Sequence, residues 1–278
     1  MSEGELLTGG SETQGIVRIG DTVRRPLRPF SLTVQAYLAH LRDVGFTAAP
    51  LPLGVDEQGR EVLSFVPGEV HRHPLPPEAA GDAVLVALAR LIRALHEASA
   101  GWVPPPGAVW GGTPASSGRV TERAELVSHR DYAAGNVVFR DGLPAALIDF
   151  DLAKPMTRLY DIANALWCWA PLRSGDPRDR APALADADIP HRVAVFADAY
   201  GMTARQCAGL APLAVDIARR GVGARDGPGD RRPPQPAGLA AASAARSSSA
   251  GAQISRRQSD TQLADRGGAT GESGVGGA

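Results

Sequence analysis

The chain has 278 residues, a formal net charge of −1 at pH 7 and two cysteines. This length predicts one or two domains with a sizeable core, and the balanced charge gives no electrostatic pull toward nucleic acid or a membrane surface. No apolar run reaches about 18 residues, and the acidic, glycine-rich start lacks the features of a signal peptide. Cys168 and Cys207 lie outside any metal-type spacing. We therefore expect a cytoplasmic protein without a nucleic-acid or membrane partner.

The N-terminal region predicts a small antiparallel sheet. An apolar pair, Leu6-Leu7, runs into the turn Gly9-Gly10-Ser11, and the chain then returns through Ile16–Ile19. Backbone N–H groups of this turn could approach a phosphate closely because no large side chain intrudes. A second turn leads into Thr22–Pro26, and Val62–Gly68 reads as a strand that enters a hinge.

Apolar residues recur at helical spacing in several further segments. Ser31 is expected to cap the first of these helices, and the capping box Thr203–Gln206 opens the last. His96 is expected to be a partly buried structural residue rather than a ligand. The predicted helices are Ser31–Val44, Asp82–Ala98, Met156–Trp169 and the segment that begins near Thr203.

The centre of the chain carries two acidic motifs. His129, Asp131 and Asn136 form H-x-D-x-x-x-x-N, and Asp149-Phe150-Asp151 follows an apolar strand. Asp131 could accept the proton of an attacking hydroxyl, and Asn136 and Asp149 could hold the Mg²⁺ that bridges the phosphates of ATP. The dipeptide Asp141-Gly142 predicts a tight hairpin that brings Asn136 and Asp149 onto opposing strands. The alternative is a surface hairpin in which these polar residues are only turn formers.

These residues resemble those of the aminoglycoside phosphotransferase and choline kinase group, the small-molecule relatives of protein kinases. The motifs that resemble those of bacterial members are H-x-D-x-x-x-x-N-V-V-F, I-D-F-D and D-I-A. The resemblance runs from about Leu6 to about Ile217. It implies an α+β, two-lobed, protein-kinase-like fold with ATP between the lobes. The expected parts are a small antiparallel β lobe at 1–68 and a mainly helical catalytic lobe at 69–220.

The resemblance also implies roles for single residues. Asp131 corresponds to the catalytic base, and Asn136 and Asp149 correspond to the Mg²⁺ ligands. His129 corresponds to a structural residue of the catalytic loop, and Asp161 corresponds to an aspartate that braces this loop. The backbone of Ser64, Phe65 and Val66 corresponds to the hinge that binds adenine.

The chain differs from the kinase pattern in the basic residue expected to face the phosphates. The single lysine of the chain, Lys154, lies after Asp149, whereas kinases place a lysine on the third strand of the small lobe. Arg24 is the preferred substitute and Arg25 the second choice, and strand alternation sends their side chains to opposite faces. A solvated arginine pair is the alternative. The first helix has no glutamate to pair with this cation, so Gln35 or Asp43 would have to replace it.

The sequence says less about the acceptor, the molecule that receives the phosphate, than about the nucleotide site. Trp167 and Tyr160 are candidates for lining the substrate cleft, where their rings could face a cationic substrate, and plain packing is the alternative for both. The polar loop 173–189 mixes aspartates with arginines. An aminoglycoside, a choline-like compound, an amino alcohol and a sugar all remain open as the small molecule whose hydroxyl receives the phosphate.

The last part of the chain changes in composition. No aromatic residue follows Tyr200, and 221–278 is dominated by Gly, Ala, Ser, Pro, Arg and Asp. Such a segment cannot bury enough apolar surface to fold, so we expect a disordered tail, either native or the product of a shifted reading frame. Three functions are therefore open: an active kinase, a nucleotide-binding pseudokinase, and an inactive product of a damaged gene.

Overall fold

The computed structural model describes residues 5–7, 15–71, 75–112, 123–172 and 182–223, with side chains up to residue 214. The turn Gly9-Gly10-Ser11, most of the polar loop and nearly all of the predicted tail lie outside the described residues. No helix in the described part of the chain combines the length and apolar character needed to cross a bilayer.

The strands form three antiparallel sheets within the described residues. The strands are β1 (Glu5–Leu6), β2 (Val17–Ile19), β3 (Thr22–Pro26), β4 (Pro52–Val55), β5 (Arg60–Ser64), β6 (Glu69–Val70), β7 (Leu126–Ser128), β8 (Val137–Arg140), β9 (Leu143–Leu147) and β10 (Lys154–Met156). The largest sheet has the order β1-β2-β3-β5-β4, the second joins β6, β8 and β9, and the third pairs β10 with β7.

The helices supply most of the core. Their buried faces join in one cluster that includes the aromatic side chains of Tyr37, Trp169 and Phe196, none of which is more than 1 % exposed. The helices are α1 (Ser31–Asp43), α2 (Asp82–Ser99), α3 (Arg158–Trp169), α4 (Ile189–Tyr200) and α5 (Ala204–Gly223). The α+β class predicted from the sequence is therefore confirmed.

Of the two predicted helix caps, the structure confirms one and contradicts the other. Thr203 and Gln206 form the expected capping box, because the Thr203 N–H donates to Gln206 Oε1 at 2.8 Å and the Gln206 N–H donates to Thr203 Oγ1 at 3.3 Å. The prediction that Ser31 caps α1 is wrong. Ser31 is already helical and buried, and its hydroxyl accepts the N–H of Arg28 instead.

The β8–β9 hairpin turns at Asp141-Gly142, as the sequence predicts. Both residues have positive φ, 51° and 74°, which is the conformation of a type I′ turn. The hairpin sets Val137 opposite Leu147. It therefore delivers the residues just before β8 and just after β9 to the same end of the sheet.

The segment that follows α2 contacts α1 and approaches the Asp149-Phe150-Asp151 turn. The Val109 N–H donates to Thr33 Oγ1 of α1 at 3.0 Å. Gly111 lies so close to the turn that a Cβ at this position would overlap the carbonyl oxygen of Asp151 and lie 3.2 Å from Phe30 Cδ1. Only glycine fits this contact without movement of the backbone.

We predict that Gly111→Ala lowers the free energy of unfolding by about 1–3 kcal/mol, the usual cost of an added methyl group in a filled site. Denaturant titration measures this change. The control is Gly135→Ala, because nothing lies within 4 Å of a Cβ at Gly135 and its φ is not positive. Equal stability of the two variants would contradict the close contact at Gly111.

The pairing of β10 with β7 buries the single lysine of the chain. Lys154 lies opposite Ser128, and it is 9 % exposed. Burial, with a smaller contribution from the charge of Arg130, lowers the pKa of Lys154 from 10.5 to about 8. At this site the unfolded chain therefore binds one proton more than the folded chain between these two pH values, so the contribution of Lys154 to the free energy of unfolding should rise with pH in this window.

This pKa can be measured at one atom. With ¹³Cε-labelled lysine incorporated, the protein should give a single lysine signal, and we expect its midpoint near pH 8. The Lys154→Arg variant serves as the control, because it should lack the signal. A midpoint at the ordinary value near 10.5 would refute the described burial.

Candidate active site

The loop between β7 and β8 holds Asp131 between two anchored neighbours. Arg130 has a φ of 67°, a left-handed conformation that costs a non-glycine residue about 1–3 kcal/mol. Its N–H donates to Oδ1 of the buried Asp161 at 3.0 Å. The Tyr132 hydroxyl donates to Asp161 Oδ2 at 2.5 Å. Asp161 thus lies beside the loop, and its carboxylate contacts the residues on both sides of Asp131.

His129 connects this loop to the strand that precedes Asp149. Its Nε2 donates to the Ile148 carbonyl at 3.0 Å, and its Nδ1 accepts the Asp131 N–H at 3.2 Å. These two contacts require a neutral ring protonated on Nε2. Burial lowers the pKa of His129, which favours the same neutral form. The ring also packs edge-on against Phe150, with ring centroids 4.4 Å apart.

Asp131 has an environment suited to holding a proton. Burial raises the pKa of this carboxyl above its ordinary value, while the hydrogen bond from the Ala133 N–H opposes the shift. The Ala133 N–H lies 3.4 Å from Asp131 Oδ1. A carboxylate whose pKa is raised is a better general base than an ordinary one.

The two predicted metal ligands lie at the open end of the β8–β9 hairpin. Asn136 immediately precedes β8, and its carbonyl accepts the N–H of Ile148, the residue before Asp149, at 3.0 Å. Its side-chain Nδ2 donates to the Asp131 carbonyl at 3.3 Å, which leaves Oδ1 as the oxygen able to bind a cation. Asp149 has φ 63° and ψ 68°, and its side chain is 46 % exposed. The hairpin therefore brings Asn136 and Asp149 together beside Asp131.

Arg25 of β3 lies at the centre of a cluster of carboxylates. Its Nε donates to Glu61 Oε2 at 2.5 Å, its Nη1 lies 3.4 Å from Asp149 Oδ1, and its Nη2 lies 2.6 Å from Asp151 Oδ1. Burial acts to lower the pKa of Arg25, but the three carboxylates outweigh it and raise this pKa. Burial also raises the pKa of Asp151 to about 6, although the charge of Arg25 opposes the shift.

The sequence favoured Arg24 over Arg25 as the cation that faces the phosphates, whereas the structure places Arg25 and not Arg24 beside Asp149. Arg24 lies on the other face of β3, where its Nη1 donates to Thr22 Oγ1 at 2.5 Å and its Nε lies 3.4 Å from Asp56 Oδ2. Alternation along the strand allows only one of the two to face Asp149. That residue is Arg25.

Glu61 is the residue of this cluster that sequence reasoning missed. It lies directly opposite Arg25 in the β3–β5 register and is fully buried. Gln35 of α1 donates to Glu61 Oε1 at 3.2 Å, and Ser31 donates to Glu61 Oε2 at 3.3 Å. The expected partner on α1 is therefore replaced by a glutamate on the neighbouring strand, and Gln35 supports it. The signal for it was a glutamate directly before the apolar pair Val62-Leu63 of β5.

The predicted adenine hinge follows β5. The Ser64 N–H donates to the Leu51 carbonyl at 2.9 Å, and the Phe65 N–H donates to the Asp21 carbonyl at 2.8 Å. The Arg18 guanidinium lies 3.7 Å from the centre of the Phe65 ring. Within the described residues no acceptor contacts the Val66 N–H. Val66 is therefore the position of the three at which a backbone donor remains for a ligand.

The two predicted substrate-cleft residues lie on α3 and are both half-buried. The Arg130 guanidinium lies over the Tyr160 ring, 5.7 Å from its centre, so a protein cation already contacts this aromatic face. Trp167 packs against the edge of the hydrophobic core. Trp169 is a core residue, as predicted, and its Nε1 donates to the Tyr132 carbonyl at 2.7 Å.

Known proteins resemble this chain in sequence and in fold. The profile of the phosphotransferase enzyme family matches residues 108–196. The trifolitoxin immunity protein of Rhizobium leguminosarum bv. trifolii is 34% identical over 222 residues, which cover 78% of this chain and 82% of that protein.

Solved structures show the same fold at low sequence identity. An amicoumacin kinase in complex with AMP-PNP and Ca²⁺ aligns with a TM-score of 0.56 and 11% identity, over 80% of each chain. The ADP-bound aminoglycoside phosphotransferase APH(2″)-Ib aligns with a TM-score of 0.51 and 13% identity, over 83% of this chain and 88% of that one. The two-lobed kinase-like fold predicted from the sequence is thereby confirmed. From its sequence match and its fold, the chain belongs to the aminoglycoside phosphotransferase and choline kinase-like family of small-molecule phosphotransferases.

Proposed function

We propose that the protein transfers the γ-phosphate of Mg·ATP to a hydroxyl group of a small molecule. The observation that carries the proposal is the convergence of Asp131, Asn136, Asp149 and Arg25 around one hairpin end. These side chains are a base, two oxygen ligands and a cation, which are the parts that phosphoryl transfer requires. The proposed ATP-binding lobe is 1–68 and the proposed catalytic lobe is 69–220. The proposed site of action is the cytoplasm, where ATP is available.

The residues of the hairpin fit a magnesium ion that arrives with ATP. Asn136 and Asp149 offer an amide oxygen and an exposed carboxylate, both hard donors of the kind that Mg²⁺ prefers. The described residues contain no group of three or more His, Cys, Asp or Glu side chains able to hold a metal ion alone. Phosphate oxygens and water must therefore complete the coordination. When bound, the ion neutralises charge on the phosphates.

Asp131 is proposed to orient the acceptor hydroxyl and take up its proton. The raised pKa of its carboxyl makes it able to hold that proton during transfer. The neutral His129 and the anchored neighbours Arg130 and Tyr132 fix the backbone on which it lies. Positioning of this kind supplies much of the rate enhancement in phosphoryl transfer.

Arg25 is proposed to bind the phosphates in place of the usual lysine. Its Nε contact with Glu61 and its Nη2 contact with Asp151 hold the guanidinium in position. Its contact with Asp149 is longer, at 3.4 Å, and is the one that a phosphate oxygen could replace. A planar guanidinium can grip phosphate through two parallel hydrogen bonds. The backbone of Gly9, Gly10 and Ser11 and the Val66 N–H are proposed to contact the phosphates and adenine respectively.

The relative from Rhizobium favours a toxin as the acceptor. That protein is named for immunity to trifolitoxin, and the match covers 82% of its length. We propose as a second, narrower function that this chain protects its host by phosphorylating a hydroxyl of a toxic small molecule. Aminoglycosides, choline-like compounds and amino alcohols are the other acceptor classes to be compared. A ³¹P NMR screen of these compounds with ATP distinguishes them through the phosphate ester formed.

Substitution of the base and of the metal ligand should separate turnover from binding. We expect Asp131→Asn to leave Mg·ATP affinity within a few-fold and to lower turnover by about 10²-fold or more, as loss of a general base does. Asp149→Ala should instead abolish Mg-dependent ATP binding. Titration calorimetry and coupled turnover assays measure the two effects. Asp141→Asn, at the far end of the same hairpin, is the matched control. Full turnover in Asp131→Asn would remove this residue as the base.

The two arginines of β3 provide a second pair of matched variants. Arg25→Ala should weaken ATP binding by about 1–3 kcal/mol, the cost of a lost charge-assisted contact. Arg24→Ala should leave ATP affinity unchanged because its side chain contacts Asp56 on the opposite face. Titration of both variants with Mg·ATP, after confirmation that each is folded, measures the difference. A weaker affinity in Arg24→Ala alone would restore the choice made from the sequence.

A further inference from the structure

We propose that Arg25 makes the site select the metal–nucleotide complex over the free divalent ion. In the nucleotide-free protein its guanidinium is the counter-ion of Asp149, the carboxylate proposed to bind the metal. The inference rests on the proposed function in one respect, the assignment of Asp149 as a metal ligand. It goes beyond that function because it gives Arg25 an opposing effect on the metal ion alone.

The three carboxylate contacts of Arg25 differ in length and in burial. Its Nε donates to Glu61 Oε2 at 2.5 Å, and its Nη2 lies 2.6 Å from Asp151 Oδ1. Its Nη1 donates to Asp149 Oδ1 at 3.4 Å, the longest of the three distances. Glu61 is fully buried, whereas nearly half of the Asp149 side chain is exposed. Arg25 is therefore anchored by two carboxylates and reaches the third, more exposed one with its remaining nitrogen.

The anchored guanidinium cannot move away from Asp149 at low cost. Arg25 and Glu61 lie opposite each other in the β3–β5 register, and Gln35 and Ser31 of α1 donate to the same glutamate. Withdrawal of the guanidinium would leave Glu61 buried without its cationic partner, which is strongly destabilising. The positive charge of Arg25 therefore stays beside Asp149 whether or not a ligand is bound.

A fixed positive charge next to Asp149 opposes a metal ion that arrives alone. The Arg25 side chain is only 8 % exposed, so water and salt screen its charge poorly. A divalent ion on the same carboxylate would be repelled by this charge and would compete with Nη1 for Oδ1. Asp149 is therefore a weaker ligand for a free ion than it would be without Arg25.

Phosphate reverses the sign of this effect. A phosphate oxygen can take the place of Asp149 Oδ1 on Nη1, which releases the carboxylate for the ion and brings negative charge to the guanidinium. Arg25 then stabilises the bound metal–nucleotide complex. One side chain is thus expected to weaken binding of the ion alone and to strengthen binding of the ion together with nucleotide.

The shape of the guanidinium permits this exchange of partners. Arginine presents five N–H donors in a fixed fork, so Arg25 can keep Glu61 and Asp151 while Nη1 changes partner. A lysine has a single ammonium group, which would have to be shared between these carboxylates and the phosphate. An arginine in place of the usual lysine therefore suits a site with three carboxylates.

Titration with Mn²⁺ in the absence of nucleotide tests the opposing effect, with free Mn²⁺ measured by electron paramagnetic resonance. We expect Arg25→Gln to bind Mn²⁺ at least about tenfold more tightly than the unaltered protein, the factor that corresponds to one charge-assisted interaction. Arg24→Gln is the matched control, because it removes the same charge from the other face of β3 and should leave the affinity unchanged. Addition of Asp149→Ala to Arg25→Gln should abolish the gain. Equal Mn²⁺ affinity in Arg25→Gln and the unaltered protein overturns the proposal, and so does a gain that survives Asp149→Ala.

The double variant Arg25→Gln/Glu61→Gln decides the question if Arg25→Gln does not fold. It removes both charges of the buried pair, so neither is left without its partner. We expect it to bind Mn²⁺ at least about threefold more tightly than the unaltered protein, a smaller gain because the attracting charge of Glu61 is lost as well. An affinity equal to that of the unaltered protein overturns the proposal.

Titration with Mn·AMP-PNP measures the effect of opposite sign. Arg25→Gln should bind this complex about tenfold less tightly while it binds Mn²⁺ alone more tightly. A loss of affinity for both ligands would leave Arg25 with a structural or nucleotide-binding role only, and overturns the proposal. If the unaltered protein phosphorylates none of the acceptors, the proposed function fails, and the Mn²⁺ titration still decides the role of Arg25.

Discussion

The buried carboxylate of Asp161 is the constraint on which the geometry of the Asp131 loop depends. It lies on α3 but bonds to residues on both sides of Asp131 and to His96 on α2. A buried charge is tolerated only when it is well hydrogen-bonded. The same requirement therefore fixes the packing of the helices and the geometry of the loop, because neither can move without leaving this carboxylate unsatisfied.

A second buried charge connects the N-terminal sheet to the same site. Arg25 on β3 contacts Glu61 on the neighbouring strand and both aspartates of the Asp149-Phe150-Asp151 turn. Gln35 on α1 donates to Glu61, which ties the helix to this pair. The arrangement explains how an arginine could replace the usual lysine without a glutamate on α1. It also weakens the argument for a pseudokinase, which rested on the absence of both residues from their usual positions.

The sequence predicted the parts of the molecule that depend on local patterns. The Asp141-Gly142 hairpin, the apolar faces of the helices and the capping box at Thr203 follow from short-range rules. Alternation showed that Arg24 and Arg25 face opposite ways, but the choice between them depends on which face of the sheet meets the Asp149 turn. Glu61 was missed because its partner is set by strand register. The contact of His96 with Tyr200 was missed because 104 positions separate the two residues, and no local pattern links them.

The most direct test of the central claim is a crystal structure of the protein with Mg²⁺ and AMP-PNP. The account predicts a metal ion about 2.0–2.1 Å from an oxygen of Asn136 and of Asp149, the usual distance for Mg²⁺. It also predicts the Arg25 guanidinium on a phosphate oxygen, with its bond to Glu61 retained. The γ-phosphate should face Asp131 across a space that admits a hydroxyl. A nucleotide bound away from the β8–β9 hairpin, or a metal ion that contacts neither Asn136 nor Asp149, would contradict the account.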